Sequence, residues 1–207
     1  MADLETIVSI TRVGPKHWQD FEAVSPGGVH FSGFLCRQES DWLGTLAVTQ
    51  IEGRKRLEFI PGMPKIPYPY QVDRHGQVQL VIPIPPRATD ARFTIKLDGT
   101  CIIFYAVRDE EGNVLEVIPR TRLQPVLTPS RWGNWNALLA EALPDPTPVE
   151  RAVREHGLVL AFELWGSRNP HLVSYDTPLA LTLHTGIRHH KLLAFPRLAH
   201  VAKIYGF

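Results

Sequence analysis

At 207 residues, with 44% apolar and 21% charged side chains, the chain has the length and composition of one well-cored globular domain. A formal charge of +1 supplies no overall basic field for nucleic acid, leaving only a local basic groove as a route to it. No apolar run reaches membrane-span length, the N-terminal residues lack a signal-peptide pattern, and Cys36 and Cys101 sit in strand-like contexts. Free thiols, a cytoplasmic location and no membrane partner are therefore expected.

Strand-like segments dominate the first half, over 29–37, 44–51, 56–60 and 77–83, each bounded by Gly, Pro, Asp or a charged turn. Proline-dense stretches at 61–70 and 83–86 exclude helix and central strand, so they read as extended surface segments. An alternating run over 91–95 and a nearly continuous apolar run over 101–107 read as two strands, and Asp98-Gly99 between them is the turn chemistry of a hairpin. A turn through 109–113 and a strand over 114–119 follow. Ser130 is placed to cap a helix over 132–143, and Thr147-Pro148 opens a second, ended by Gly157. Strands over 158–165, 179–183 and 191–195 come next, and Pro196 opens a last helix. Many strands joined by antiparallel-type turns, with few helices, define an α+β pattern. No repeat or composition break divides it, so residues 1–207 are expected to form a single domain.

Two stretches carry chemistry. The first is Lys96-Leu97-Asp98-Gly99-Thr100, a lysine beside a carboxylate, a glycine and a hydroxyl at the mouth of a sheet. A lysine becomes a nucleophile when burial or nearby cations lower its pKa. The second is Phe162-Glu163-Leu164-Trp165-Gly166-Ser167-Arg168-Asn169, where a glutamate interrupts an apolar strand. A carboxylate there is costly unless something uses it, and alternation sets Glu163 on the face opposite Phe162 and Leu164.

The Lys96 pentapeptide resembles motif I of the covalent nucleotidyltransferases, the RNA ligases, DNA ligases and capping enzymes. The Glu163 stretch, continued by residues 169–175, is similar to motif III of the RNA ligases, in particular the phage tRNA-repair type. The likeness spans roughly residues 54–195 and implies an ATP-grasp-like nucleotidyltransferase domain of antiparallel sheets with a few flanking helices. It implies an ATP-dependent RNA ligase acting in RNA repair. Its lysine takes AMP from ATP, passes it to an RNA 5′-phosphate, and a 3′-hydroxyl then displaces AMP to seal the strand.

In that reading Lys96 is the nucleophile. Asp98 and Gly99 shape the nucleotide site, and Glu163 binds the ribose. Lys65, in a proline-rich segment like the one preceding motif I in these ligases, reaches the outer phosphates. Arg122, with Arg120 beside it, serves the α-phosphate or a nucleic-acid phosphate. Leu181 and Leu183 stand where the family covers the adenine. Magnesium is expected to accompany ATP on its phosphates. None of the nine histidines stands at a zinc-site spacing with a cysteine, so no protein metal ligand is expected. A DNA ligase or capping-type enzyme shares motif I, and a non-catalytic nucleotide- or RNA-binding module of the same fold is the alternative from another class.

The family has two further motifs, one with a metal-binding glutamate and one with paired lysines. No carboxylate side chain follows Asp176, and Lys203 has no partner lysine. The expectation is a domain incomplete at its C-terminus, completed by a further polypeptide. Alone it would label slowly or not at all, and it would seal no strand.

Overall fold

Three hydrophobic clusters organise the chain, one between two antiparallel sheets and one on the outer side of each. The computed structural model describes residues 4–64, 70–81, 87, 89, 94–129 and 133–207.

The first sheet is a meander of β1 (Trp18–Val24), β2 (His30–Cys36), β3 (Leu46–Ile51) and β4 (Arg54–Ile60), paired in chain order. Glu52 and Gly53 close the β3–β4 turn with φ of 48° and 76°. This left-handed pair matches the twist of the flanking strands, and glycine adopts it without penalty. A short helix, α1 (Leu4–Thr11), covers one face of the sheet by burying Ile7 against Trp18, Cys36 and Ala47. Neither α1 nor β1 was expected from the sequence. The helix has only 8 residues, and β1 is an edge strand whose burial does not follow a clean alternation, so tertiary packing stabilises both.

A two-stranded ribbon follows, β5 (Tyr70–Val72) against β6 (Val78–Leu80). The Asp73 carboxylate accepts from the N–H groups of His75 and Gln77, at 2.8 and 2.9 Å, and shapes its turn. Of the strand expected over 77–83, this core alone is formed, and 82–83 lie outside the described residues.

The second sheet holds β7 (Thr100–Arg108), β8 (Val114–Thr121), β9 (Val159–Trp165), β10 (Ala180–Arg188) and β11 (Lys191–Leu192), in the order β11-β10-β9-β7-β8. The apolar run of β7 has a simple cause, since both of its faces are buried. Ile103, Tyr105 and Val107 point into the inter-sheet core with Phe31, Leu46 and Val48. Ile102, Phe104 and Ala106 point to the other side. That side is covered by helices α2 (Trp135–Ala142), α3 (Thr147–His156) and α4 (Phe195–Tyr205), through Leu139, Val149, Val153 and Val201. The layers thus run helix, sheet, sheet, helices. This is an α+β architecture of antiparallel sheets, as the sequence implied.

Three expectations are corrected. Asn134, not Ser130, caps α2, its side chain accepting from the N–H groups of Asn136 and Ala137 at 3.1 and 3.3 Å. Ser130 lies outside the described residues. The strand expected over 191–195 ends at Leu192, because Pro196 at the first turn starts α4 from Phe195. Of the strand expected over 91–95, residues 91–93 lie outside the described residues, while Thr94 and Ile95 are in no strand. The described part of the approach to β7 is therefore irregular, not one arm of a hairpin. Among the described residues no helix is long and apolar enough to cross a membrane.

Candidate functional site

At the end of the second sheet where β7 and β10 begin and β8 and β9 finish, the two stretches singled out in the sequence meet. Pairing of β7 with β9 sets Thr100 opposite Leu164 and Cys101 opposite Glu163. Gly99 lies so close to β9 that a Cβ there would collide with the Leu164 carbonyl oxygen. Glycine is thus required by the approach itself. The proximity lets the Glu163 carboxylate accept from the Gly99 N–H.

The chain after β9 then folds back over the lysine pentapeptide. Asp98 Oδ2 accepts from the N–H groups of Leu172 and Val173, at 2.8 and 2.9 Å. The Asp98 N–H donates to the Tyr175 hydroxyl at 2.7 Å, and Tyr175 packs edge-on against Trp165, with ring centroids 4.8 Å apart. Buried Asn169 donates through Nδ2 to the Leu164 carbonyl at 2.7 Å and to Thr100 Oγ1 at 3.1 Å. Asp98 therefore acts first as a clamp on the 169–175 loop.

Replacing Asn169 with alanine should cost about 2–3 kcal/mol, because it leaves a buried carbonyl without its donor. Urea denaturation measures this. A loss below about 0.5 kcal/mol would show that Asn169 does not hold the two stretches together.

Charge is distributed unevenly around this end. Lys96 is exposed, and its charge acts on both Asp98 and Glu163. The Val173 N–H holds the Asp98 carboxyl below the usual carboxylate range, helped by the Leu172 N–H and by the charges of His171 and Lys96. Burial pushes the Glu163 carboxyl up, opposed by Lys96, the Gly99 N–H and Arg122. Arg122 follows β8 and reaches the same face, where its charge acts on Cys101, Glu163 and His184. Its Nε is buried and has no hydrogen-bond partner.

Lys96, Asp98, Gly99, Glu163 and Arg122 are thus brought together, while Arg120, Leu181 and Leu183 are not. Arg120 is wholly buried and spends its guanidinium on backbone carbonyls, donating to Gly44 at 2.7 Å and to Pro61 at 3.2 Å. It is a structural strut and not a phosphate ligand. Leu181 and Leu183 pair with Leu164 and Phe162 and pack into the helix-covered core. They stand on the sheet face opposite Glu163. Thr182 pairs with Glu163 instead, and its hydroxyl accepts from Trp165 Nε1 at 2.9 Å. Lys65 lies outside the described residues.

Sequence reasoning missed one cluster. Cys101, Glu163 and His184, on β7, β9 and β10, offer ligand atoms that all lie within 4.8 Å of one another. Burial pushes the Cys101 thiol up to about 11 and, with Arg122, pushes the His184 imidazole down. The three residues are far apart in the chain, so spacing gives no signal, and only strand order and register unite them.

Comparison with known proteins yields no match, either to a family model or to a curated sequence.

Proposed function

We propose that the chain is the adenylyltransferase domain of an ATP-dependent RNA ligase. One observation carries the reading. The lysine pentapeptide and the Glu163 stretch, each suggestive alone, are held against each other through Gly99, Asp98 and Asn169.

In this reading the unprotonated Lys96 amine attacks the α-phosphorus of ATP. A P–N bond forms, the P–O bond to pyrophosphate breaks, and the amine loses its remaining excess proton to solvent. AMP is then passed to the 5′-phosphate of an RNA. Glu163 accepts hydrogen bonds from the ribose hydroxyls. Arg122 and Lys65 offset phosphate charge, which is the main electrostatic demand of such transfers. The set around Glu163 is sulfur, nitrogen and oxygen and does not fit a hard cation. Cys101 and His184 would therefore give magnesium no ligand, and the nucleotide's phosphates would hold it to offset their charge.

The test is incubation with radiolabelled ATP or GTP followed by a denaturing gel. A covalent label from ATP supports the reading. Label from GTP alone points to a capping-type enzyme, and no label from either points to a non-catalytic binding module or to a domain that labels only with the further polypeptide. Glu163→Ala should slow labelling at least about tenfold, since hydrogen bonds to a charged acceptor are worth about 1.5–3 kcal/mol. Labelling at the unaltered rate would make Glu163 only a strand-face residue.

A further inference from the structure

We propose that Cys101, Glu163 and His184 bind one divalent transition-metal ion of the zinc type, with a fourth position left open to solvent or ligand.

The ligands stand on three adjacent strands, and each is placed by a backbone feature. Cys101 and Glu163 are direct cross-strand partners, so their side chains project from the same face of the sheet. On the far side of Glu163, β10 pairs regularly as far as Leu183 opposite Phe162, and then the register shifts. Thr185 takes the place opposite Ala161, leaving His184 as the extra residue of a bulge. Such bulges re-aim a side chain and recur beside functional sites. Here the bulge accompanies an imidazole Nε2 that lies 3.8 Å from Cys101 Sγ and 4.0 Å from a Glu163 carboxylate oxygen.

These separations fit a collapsed-open metal site. With Zn–S near about 2.3 Å and Zn–N near about 2.0–2.1 Å, tetrahedral ligand atoms stand roughly 3.3–3.6 Å apart. The two His184 separations need to close by less than about 1 Å and the Cys101–Glu163 separation, which lies within 4.8 Å, by up to about 1.3 Å, which side-chain rotation supplies without moving the strands. One thiolate, one imidazole and one carboxylate form a borderline-soft set that selects zinc, cobalt or copper over magnesium or calcium. Three protein ligands are also the number found where zinc keeps an exchangeable fourth position. Arg122 lies beside the Cys101 sulfur, where a donated N–H would stabilise a bound thiolate. The ligand set is independent of nucleotidyl transfer: a chain that never meets ATP would still hold the ion. If Glu163 also binds the ribose, metal and nucleotide compete for it.

The experiment is titration of the metal-stripped full chain with Co²⁺, followed by absorption spectroscopy. The expected result is one equivalent of cobalt, with a thiolate-to-cobalt charge-transfer band and the intense visible bands of four-coordinate cobalt. Added Zn²⁺ should bleach both. Cys36→Ser should leave the spectrum unchanged, because Cys36 is fully buried in the separate α1-side cluster. Cys101→Ser should abolish the charge-transfer band. His184→Asn should weaken binding more than about a hundredfold, since even outer-shell losses cost roughly 10–100-fold. A wild-type chain that binds no cobalt, or binds it without the charge-transfer band, overturns the proposal whatever the variants do. So does a band that survives in folded Cys101→Ser. Failure of ATP labelling alongside a normal cobalt spectrum would leave the metal site standing.

Discussion

Lys96→Ala should abolish covalent attachment of AMP, the largest effect on activity expected from any single substitution in the chain. After prolonged incubation with ATP and magnesium, intact-protein mass spectrometry should show one added AMP on the wild type and none on the variant. The chemistry leaves no substitute, because only an unprotonated amine can form the P–N bond. Lys96→Arg should fail equally, since a guanidinium stays protonated. The site makes the comparison clean. Lys96 is exposed, and substitutions at such positions usually change stability by no more than about 0.5 kcal/mol. Both variants should therefore unfold at the wild-type urea concentration while losing the adduct. An adduct that persists in Lys96→Ala would move the nucleophile elsewhere and remove the main support for the proposed function.

The sequence disclosed the part of the site that is local and hid the part that depends on strand register. Lys96 to Thr100 and Phe162 to Asn169 are each contiguous, so their chemistry could be read in one dimension. Their union could not, because it depends on β7 pairing with β9 rather than only with its hairpin neighbour β8. The pairing of β9 with β10 explains the two misplaced leucines. Leu181 and Leu183 lie on the strand where an adenine contact was sought, but alternation turns them toward the helices. Thr182 faces Glu163 instead. His184 was one of nine histidines with nothing to distinguish it until the bulge in β10 placed it beside Glu163 and Cys101. Asp98 was legible as a site residue, but its clamp on Leu172 and Val173 was not. Turn preference pointed to a hairpin, whereas the carboxylate finds its donors in a distant loop.

Arg120→Met should produce a large loss of stability, about 3–5 kcal/mol, although the residue forms no ion pair among the described residues. Its guanidinium is wholly buried. Nη2 donates to the carbonyls of Gly44 and Pro61, at 2.7 and 3.2 Å. Nη1 donates to those of Arg122 and Gln124, at 3.2 and 3.4 Å. One face lies over the Tyr105 ring, 5.3 Å from its centroid, and the Tyr105 hydroxyl in turn donates to the Pro125 carbonyl at 2.6 Å. Burial pushes the guanidinium down to about 10, which still leaves it charged at neutral pH. Two effects then oppose each other. Removing a buried charge relieves its desolvation, and replacing a whole buried ion pair by apolar groups is often neutral or stabilising. Here the partners are backbone carbonyls, which cannot be replaced along with the arginine. Methionine would leave four acceptors without their donor, at about 1–3 kcal/mol for each that water fails to reach, so the loss should prevail. For a chain of this size the change should lower the melting temperature by roughly 6–20 °C. Arg120→Lys, with a compact ammonium that cannot span both pairs of carbonyls, should fall between the two. A methionine variant within about 1 kcal/mol of wild type would show that these loops hold without the strut. A methionine variant that loses stability as expected should also slow ATP labelling while folded, because the strut fixes the backbone of Arg122 beside Glu163.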